Sequence, residues 1–141
     1  MSSPAAPFRT AQEAALRASA ALAAAMGGKV RLYTEVPSNA PLPYVVIGQD
    51  EIDDLSDGCG EAHSIVSTVQ WWTKGVGAAS GAATARAMGD AILGALKTDA
   101  IAITGHALVM CELEQPESYS TDPDQSSRGR AVLRYETTAL A

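Results

Sequence analysis

Residues 62–73, AHSIVSTVQWWT, form the most strand-like stretch of this sequence, with alternating apolar positions and several β-branched and aromatic residues. One predicted face carries His63, Ile65, Val69 and Trp71, and the other carries Val66 and Trp72. Because apolar residues occur on both sides, we expect both faces of this strand to be covered in places. Trp71 and Trp72 are adjacent, so one ring points into the core and the other points outwards. The pattern leaves open which ring is buried. The outward ring is either covered by a helix or is an interface anchor, and Trp72 is the candidate interface residue.

A helix and two shorter strands precede this stretch. Thr10 and Glu13 have the T-x-x-E spacing of a capping box, and an apolar helical pattern continues from there to a stop at Gly27-Gly28. Alternation indicates a strand over residues 30–36, and β-branched residues indicate another over residues 44–47. Residues 1–9 contain Pro4 and Pro7 and are predicted to form a flexible N-terminal arm.

A second helix and a hairpin follow it. Ser80 is a candidate N-cap, and the apolar stripe of the helix after it includes Ala85, Met88, Ile92 and Leu96. The last third predicts a hairpin whose tip is the turn-forming segment STDPDQSS, residues 120–127. A turn about Asp122-Pro123 places Glu112 opposite Arg134. It also brings Glu117 near Arg128 and Arg130, and these three are further candidate interface residues.

The element order is therefore α-β-β-β-α-β-β, without the strand-helix alternation that a parallel sheet requires. This order predicts an α+β fold with a mainly antiparallel sheet of about five strands and two helices on one face. The length of 141 residues and the lack of a long linker predict a single domain over residues 1–141.

Composition and charge argue against several functions. The chain is 47% hydrophobic and carries a net charge of −6, which disfavours DNA binding as its main task because phosphate recognition normally needs a basic face. Its two cysteines are too few for a secreted disulfide framework and are predicted to be reduced thiols. The longest apolar run, residues 14–26, contains Arg17 and is too short to cross a bilayer, so no membrane is expected as a partner.

Residues 50–61, DEIDDLSDGCGE, are predicted to form an acidic loop after the second strand. An EF-hand alignment on Gly58 fails, because Leu55 and Ser64 occupy ligand positions. One interpretation is a solvated loop. The other is a functional face formed by Asp50, Glu51, Asp53, Asp54 and Asp57, whose repeated carboxylates repel other polyanions.

Metal binding and catalysis have weak support. Cys59, His63, His106 and Cys111 could make a Cys2His2 zinc site on paper, but the first pair lacks a knuckle, and a buried thiol with two ordinary histidines is the favoured interpretation. The glycines around residues 75–81 lack both the G-x-S-x-G spacing and the P-loop ending. We therefore assign no catalytic, metal or cofactor-binding residue and expect no enzyme.

The order of the segments resembles a known family. An alanine-rich helix leads into GGKVRLY at residues 27–33, then a Val36-Pro37 turn and LPYVVIG at residues 42–48. VQWWT at residues 69–73 ends the third strand, and RAVLRY at residues 130–135 ends the hairpin. This order resembles the tail-completion or tail-terminator proteins of long-tailed phages and gene transfer agents, over residues 11–138.

The resemblance implies a structural virion protein, assembled in the bacterial cytoplasm, that forms a hexameric ring. Such a ring caps the head-proximal end of the tail tube and joins it to the connector or stopper of the head. The implied partners are further copies of this chain, the tail tube protein and the connector or stopper protein, with DNA passing through the lumen without specific binding. In such a ring, Asp50, Glu51, Asp53, Asp54 and Asp57 are the candidate lumen or loop face, and a negative wall would keep passing DNA from sticking. The family implies no cofactor and no catalytic residues.

Two other functions remain open at this stage. One is a head-side adaptor in the neck, and the other is a soluble oligomeric ligand-binding or regulatory module, which needs a concave apolar pocket with converging polar groups. The sequence does not distinguish a phage from a prophage or a gene transfer agent.

Overall fold

The structure, a computed structural model, describes residues 3–58, 60–97 and 101–140. Within them the chain forms three helices and five strands. In chain order these are α1 (Ala5–Arg17), α2 (Ala20–Ala25), β1 (Leu32–Tyr33), β2 (Tyr44–Asp54), β3 (Ala62–Thr73), α3 (Gly81–Leu96), β4 (His106–Thr121) and β5 (Ser127–Ala139).

The strands form one sheet in the order β1-β2-β3-β5-β4. All neighbours are antiparallel except β1 and β2, which are parallel, so the sheet is mixed and mainly antiparallel. Helices α1 and α3 pack against one face of the sheet, and α2 packs beside α3. The predicted α+β class is confirmed, with one short parallel pair and one more helix than expected.

The first helix begins at Ala5, not at Thr10, so residues 5–9 do not belong to a flexible arm and that part of the prediction is wrong. Pro4 is the N-cap residue and Pro7 lies in the first turn, where the missing N–H breaks no helical hydrogen bond. Phe8 is fully buried, and its ring packs edge-on against Tyr135 at a centroid distance of 4.9 Å. Burial of the Phe8 ring keeps residues 5–9 in the helix, although Pro4 and Pro7 had indicated a flexible segment. Residues 1 and 2 lie outside the described residues.

The predicted single N-terminal helix is in fact two helices that meet near Ser19. The Ser19 hydroxyl accepts a hydrogen bond from the Leu22 amide at 3.1 Å and caps α2. The predicted stop is confirmed, because Gly27 has a φ of +85° and the Gly28 amide reaches back to the Ala23 carbonyl at 2.6 Å.

Strand bounds differ from the prediction in an instructive way. β3 has the predicted limits, whereas β1 spans only two residues and β2 continues through Asp54. The first half of the predicted acidic loop is therefore strand, paired with residues 63–67 of β3. Gly48 has a φ of +132° at the single register irregularity of β2, and the Arg9 guanidinium fills the space where a side chain would stand.

The predicted hairpin is formed by β4 and β5, and Glu112 lies opposite Arg134 as expected, with an N–O distance of 4.0 Å. Glu117 makes no ion pair with an arginine in the described chain, and its carboxylate accepts a hydrogen bond from Tyr119 at 3.3 Å. The register of β4 shifts at three places, the last of them spanning Pro116, which has no N–H for the ladder. Because of the last shift, Glu117 has no register partner on β5, and Ser118 instead lies opposite Arg130.

The centre of the core is the side chain of Trp71, which is fully buried. Its indole N–H donates to the Ala85 carbonyl of α3 at 2.9 Å, and its ring lies directly over the backbone of Gly129 on β5. On the helix side the ring reaches Gly89, where a Cβ would lie 3.0 Å from the indole. Two glycines therefore allow the sheet and α3 to approach each other across a single aromatic ring.

Gly129→Ala should destabilise the protein, because the added methyl group would overlap the indole of Trp71, which has no free space to move into. We expect a loss of about 1–3 kcal/mol in the free energy of unfolding, measured by urea denaturation. Gly94→Ala is the matched control: nothing lies within 4 Å of its Cβ, and the helix should gain up to about 1 kcal/mol. Equal stability of the Gly129 variant and the parent would contradict this account of the core.

Candidate functional site

The face of the sheet opposite the helices is covered by no element in the described chain, and we call it the open face. Side chains of β2, β3, β5 and β4 form five cross-strand rows on it. From one end to the other the rows are Tyr44-Trp72-Arg128-Ser120, Val46-Gln70-Arg130-Ser118, Gln49-Thr68-Val132-Gln115, Glu51-Val66-Arg134-Glu112 and Asp53-Ser64-Glu136-Met110. Most residues in these rows are polar or charged, and the aromatic residues Tyr44 and Trp72 occur only in the first row.

The first row ends in an aromatic cluster. The rings of Tyr33 and Tyr44 are 5.9 Å apart and those of Tyr44 and Trp72 are 5.4 Å apart, between centroids. Arg128 is the cross-strand partner of Trp72 and is exposed. We call Tyr33, Tyr44, Trp72 and Arg128 the aromatic end. The ring left undecided by the sequence is now assigned: Trp71 points into the core and Trp72 points out.

The middle of the open face is held by polar contacts. Arg134 donates to Glu136 at 3.1 Å, and Arg130 donates to the Gln115 side chain at 3.1 Å. Thr68 and Val132 are buried although no helix covers them, and they line a pocket of about 150 Å³ together with longer side chains such as Gln115 and Arg130. Of the predicted interface residues, Trp72, Arg128 and Arg130 share one region of this face, and Glu117 stands apart in the irregular part of β4.

The five predicted acidic residues do not share one surface. Glu51 and Asp53 are exposed on the open face. Asp50 and Asp54 alternate with them and point to the helix side. Asp57 lies in the turn and forms an isolated bridge with Gly60. An acidic lumen wall stays a prediction, and on the open face it is limited to Glu51 and Asp53.

Two pKa values in this region are shifted. The Ser56 hydroxyl, which is the larger cause, and the Ser56 amide, which donates to Asp54 at 2.7 Å, hold the pKa of Asp54 below its usual value. Asp50 is half-buried on the helix side, and its charge adds to burial, the main cause, in raising the pKa of Tyr135. The Tyr135 hydroxyl donates to the Leu96 carbonyl at 3.1 Å, so it acts as a neutral structural group at the C-terminus of α3.

The predicted zinc ligands are only partly within the described chain, because Cys59 lies outside it. His63 on β3 and His106 on β4 flank β5, opposite Thr137 and Ala139 respectively. Cys111 instead donates a weak hydrogen bond to the Leu96 carbonyl at 3.5 Å. Among the described residues no group of three potential metal ligands occurs.

Three further surface features border the sheet and helices. The β4 edge is 16 residues long but carries Pro116, three register irregularities and several glutamates, features that protect an edge from pairing with another strand. A groove of about 540 Å³ between the helices is lined mostly by alanines, with Asp90 and Gly94. A pocket of about 350 Å³ at the acidic end of the sheet is lined by Leu55, Asp57, Gly60, Glu61, Ala62, Thr138 and Ala139.

No helix in the described residues is long and apolar enough to span a membrane.

Comparison with known proteins identifies a family and similar solved structures. The family model for tail completion protein gp17 matches residues 13–139 of this chain. A solved structure described as the virion of a native gene transfer agent particle contains a chain with a similar fold, at a TM-score of 0.74 and 26% sequence identity. The similarity covers 93% of this chain and 94% of that one. No curated protein sequence matches the chain.

The two adjacent tryptophans should respond differently to truncation. Trp71→Ala removes the central core ring and its hydrogen bond to α3, and we expect a loss of about 3–5 kcal/mol in the free energy of unfolding. Trp72→Ala removes a partly exposed ring packed on Tyr44 and should cost about 1 kcal/mol. Urea denaturation of both variants tests this, and equal losses would show that the outward ring belongs to the core after all.

Proposed function

Because the chain belongs to the family of tail completion protein gp17, it is a structural protein of a phage-type tail located in the virion, and we propose that it is the tail terminator. In this role six copies form a ring on the last ring of tail tube subunits. The opposite side of the ring receives the connector or stopper of the head, so the same protein ends the tail and joins it to the head.

The observation that carries this proposal is the extent of the similarity. The family match begins in α1 and ends in the last strand, and the chain from the gene transfer agent virion matches over nearly its whole length. The match therefore concerns the entire fold, including the open face and both ends of the sheet, and not a shared sub-structure.

The surface of the protein supports an assembly role. The open face carries the partly exposed Trp72 and the exposed Arg128. Tryptophan and arginine are enriched at the centres of protein interfaces. The net charge of −6 supports passage of DNA without specific binding, because the chain has too few cations to hold a phosphate backbone tightly.

Removal of the gene should produce particles with overlong tails or tails without heads, seen by negative-stain electron microscopy. A tube without its terminator continues to polymerise and lacks the surface to which the filled head docks. Complementation with the parent chain should restore tail length, and complementation with Gly94→Ala should do so equally well, since that change lies in open space on a helix.

Tails of normal length in the deletion strain would contradict the proposal. If such tails were also detached from filled heads, the result would place the protein on the head side of the neck as an adaptor.

A further inference from the structure

The open face is electrically polar along its strands. Its first two rows contain two arginines, Arg128 and Arg130, and no carboxylate. Its last two rows contain four carboxylates and one arginine, and that arginine is already paired with Glu112 and Glu136. Trp72 in the first row and Ser64 in the last row are eight residues apart on β3. Since a strand rises about 3.3 Å per residue, these two rows are separated by roughly 26 Å.

The two ends also differ in shape. Tyr33, Tyr44 and Trp72 form a cluster of partly exposed aromatic rings at the positive end. At the negative end lies the 350 Å³ pocket, whose lining combines the apolar Leu55, Ala62 and Ala139 with Asp57 and Glu61. A pocket that contains both apolar side chains and carboxylates fits an aromatic ring accompanied by a guanidinium group.

Other charges at the aromatic end reduce this polarity without reversing it, since the three cations Arg128, Arg130 and Lys74 outnumber the two turn carboxylates by one. Asp122 and Asp124 lie in the hairpin turn beyond the first row, and Asp124 pairs with Lys74 at 3.9 Å. The Ser126 hydroxyl donates to Asp124 at 2.6 Å, and this hydrogen bond and the Ser126 amide hold the pKa of Asp124 below its usual value. Both contacts bind the Asp124 carboxylate to the turn rather than to the open face.

We propose that the aromatic end of one copy docks into the acidic pocket of the next copy, so that subunits join head to tail through the two ends of the open face. The partner is a second copy because both halves of the complementary pair, in charge and in shape, are present on this chain. A patch and its complement at opposite ends of one molecule produce a heterologous contact, which closes into a ring when the rotation per subunit allows.

The strand edges offer no better route to self-association. β1 has two residues, and the long β4 edge is interrupted by Pro116 and by its register shifts. The proposal also reassigns Asp53, which lies in the last row, to a contact between copies and not to a lumen wall. It rests on the proposed ring and adds the surfaces that form it.

Photo-crosslinking in cells that produce the particles tests the contact directly. A benzophenone amino acid is placed at position 72, in a second strain at position 120 of the same row, and in a control strain at Arg17 on the helix layer. We expect positions 72 and 120 to yield a covalent dimer whose mapped linkage falls within residues 53–62 or 138–140. Linkage to another protein, linkage elsewhere on this chain, or no product at either position would overturn the proposal.

Charge exchange provides an independent test with the same readout. Arg128→Glu and Asp53→Arg should each lower the dimer yield by about tenfold, because each variant carries like charges at both ends of the open face. Co-expression of the two variants should restore the yield, since each supplies the charge that the other lacks. Arg17→Glu makes the same change of charge on an exposed helix position and should have no effect. Unaltered yields in the single variants, or a loss that co-expression does not restore, would contradict the contact.

The outcomes separate this proposal from the function on which it rests. Overlong tails in the deletion strain together with crosslinks at another surface would keep the terminator function and remove the contact. Crosslinks to residues 53–62, together with tails of normal length in the deletion strain, would keep the contact and remove the terminator function.

Discussion

The indole of Trp71 sets the spacing between the helix layer and the sheet, and the remaining architecture follows from it. The ring lies over Gly129 on the neighbouring strand, approaches Gly89 on α3 and donates its N–H to the Ala85 carbonyl. A fully buried indole needs a hydrogen-bond acceptor, and a mid-helix carbonyl supplies it here. With most other core residues small or aliphatic, one large ring and two glycines determine how closely α3 can pack.

Other polar contacts fix the helices around that centre. The fully buried Gln12 of α1 donates to the Ser67 hydroxyl of β3 at 3.0 Å. The last turn of α3 is held by Tyr135 and Cys111, whose side chains both donate to the Leu96 carbonyl. Because all of these contacts lie on one side of the sheet, the opposite face is left to the solvent or to a partner. A ring of copies is one arrangement in which such a face becomes buried.

The predictable parts of the fold were those with a local cause. β3 has the limits that alternation gave, and the Ser80 cap of α3 is present, because period and capping act between residues a few positions apart. The predicted start of α1 at Thr10 is wrong because the Phe8 ring packs against Tyr135, a residue far along the chain that no local pattern can indicate. The acidic segment was assigned to a loop because its composition is typical of turns, whereas pairing with β3 keeps its first half extended.

The candidate site divides in the same way. The sequence by itself determined the tail-completion family and the α+β class, since these depend on the order, period and composition of its segments. Only the tertiary structure decided that Trp72 and not Trp71 faces outwards, that the acidic residues lie on different surfaces and that Glu117 is separated from Arg128 and Arg130. The physical reason is that each of these outcomes depends on residues far along the chain. The helices choose the face of β3 that they cover, pairing with β3 makes the acidic segment alternate as a strand, and the register shifts of β4 displace Glu117.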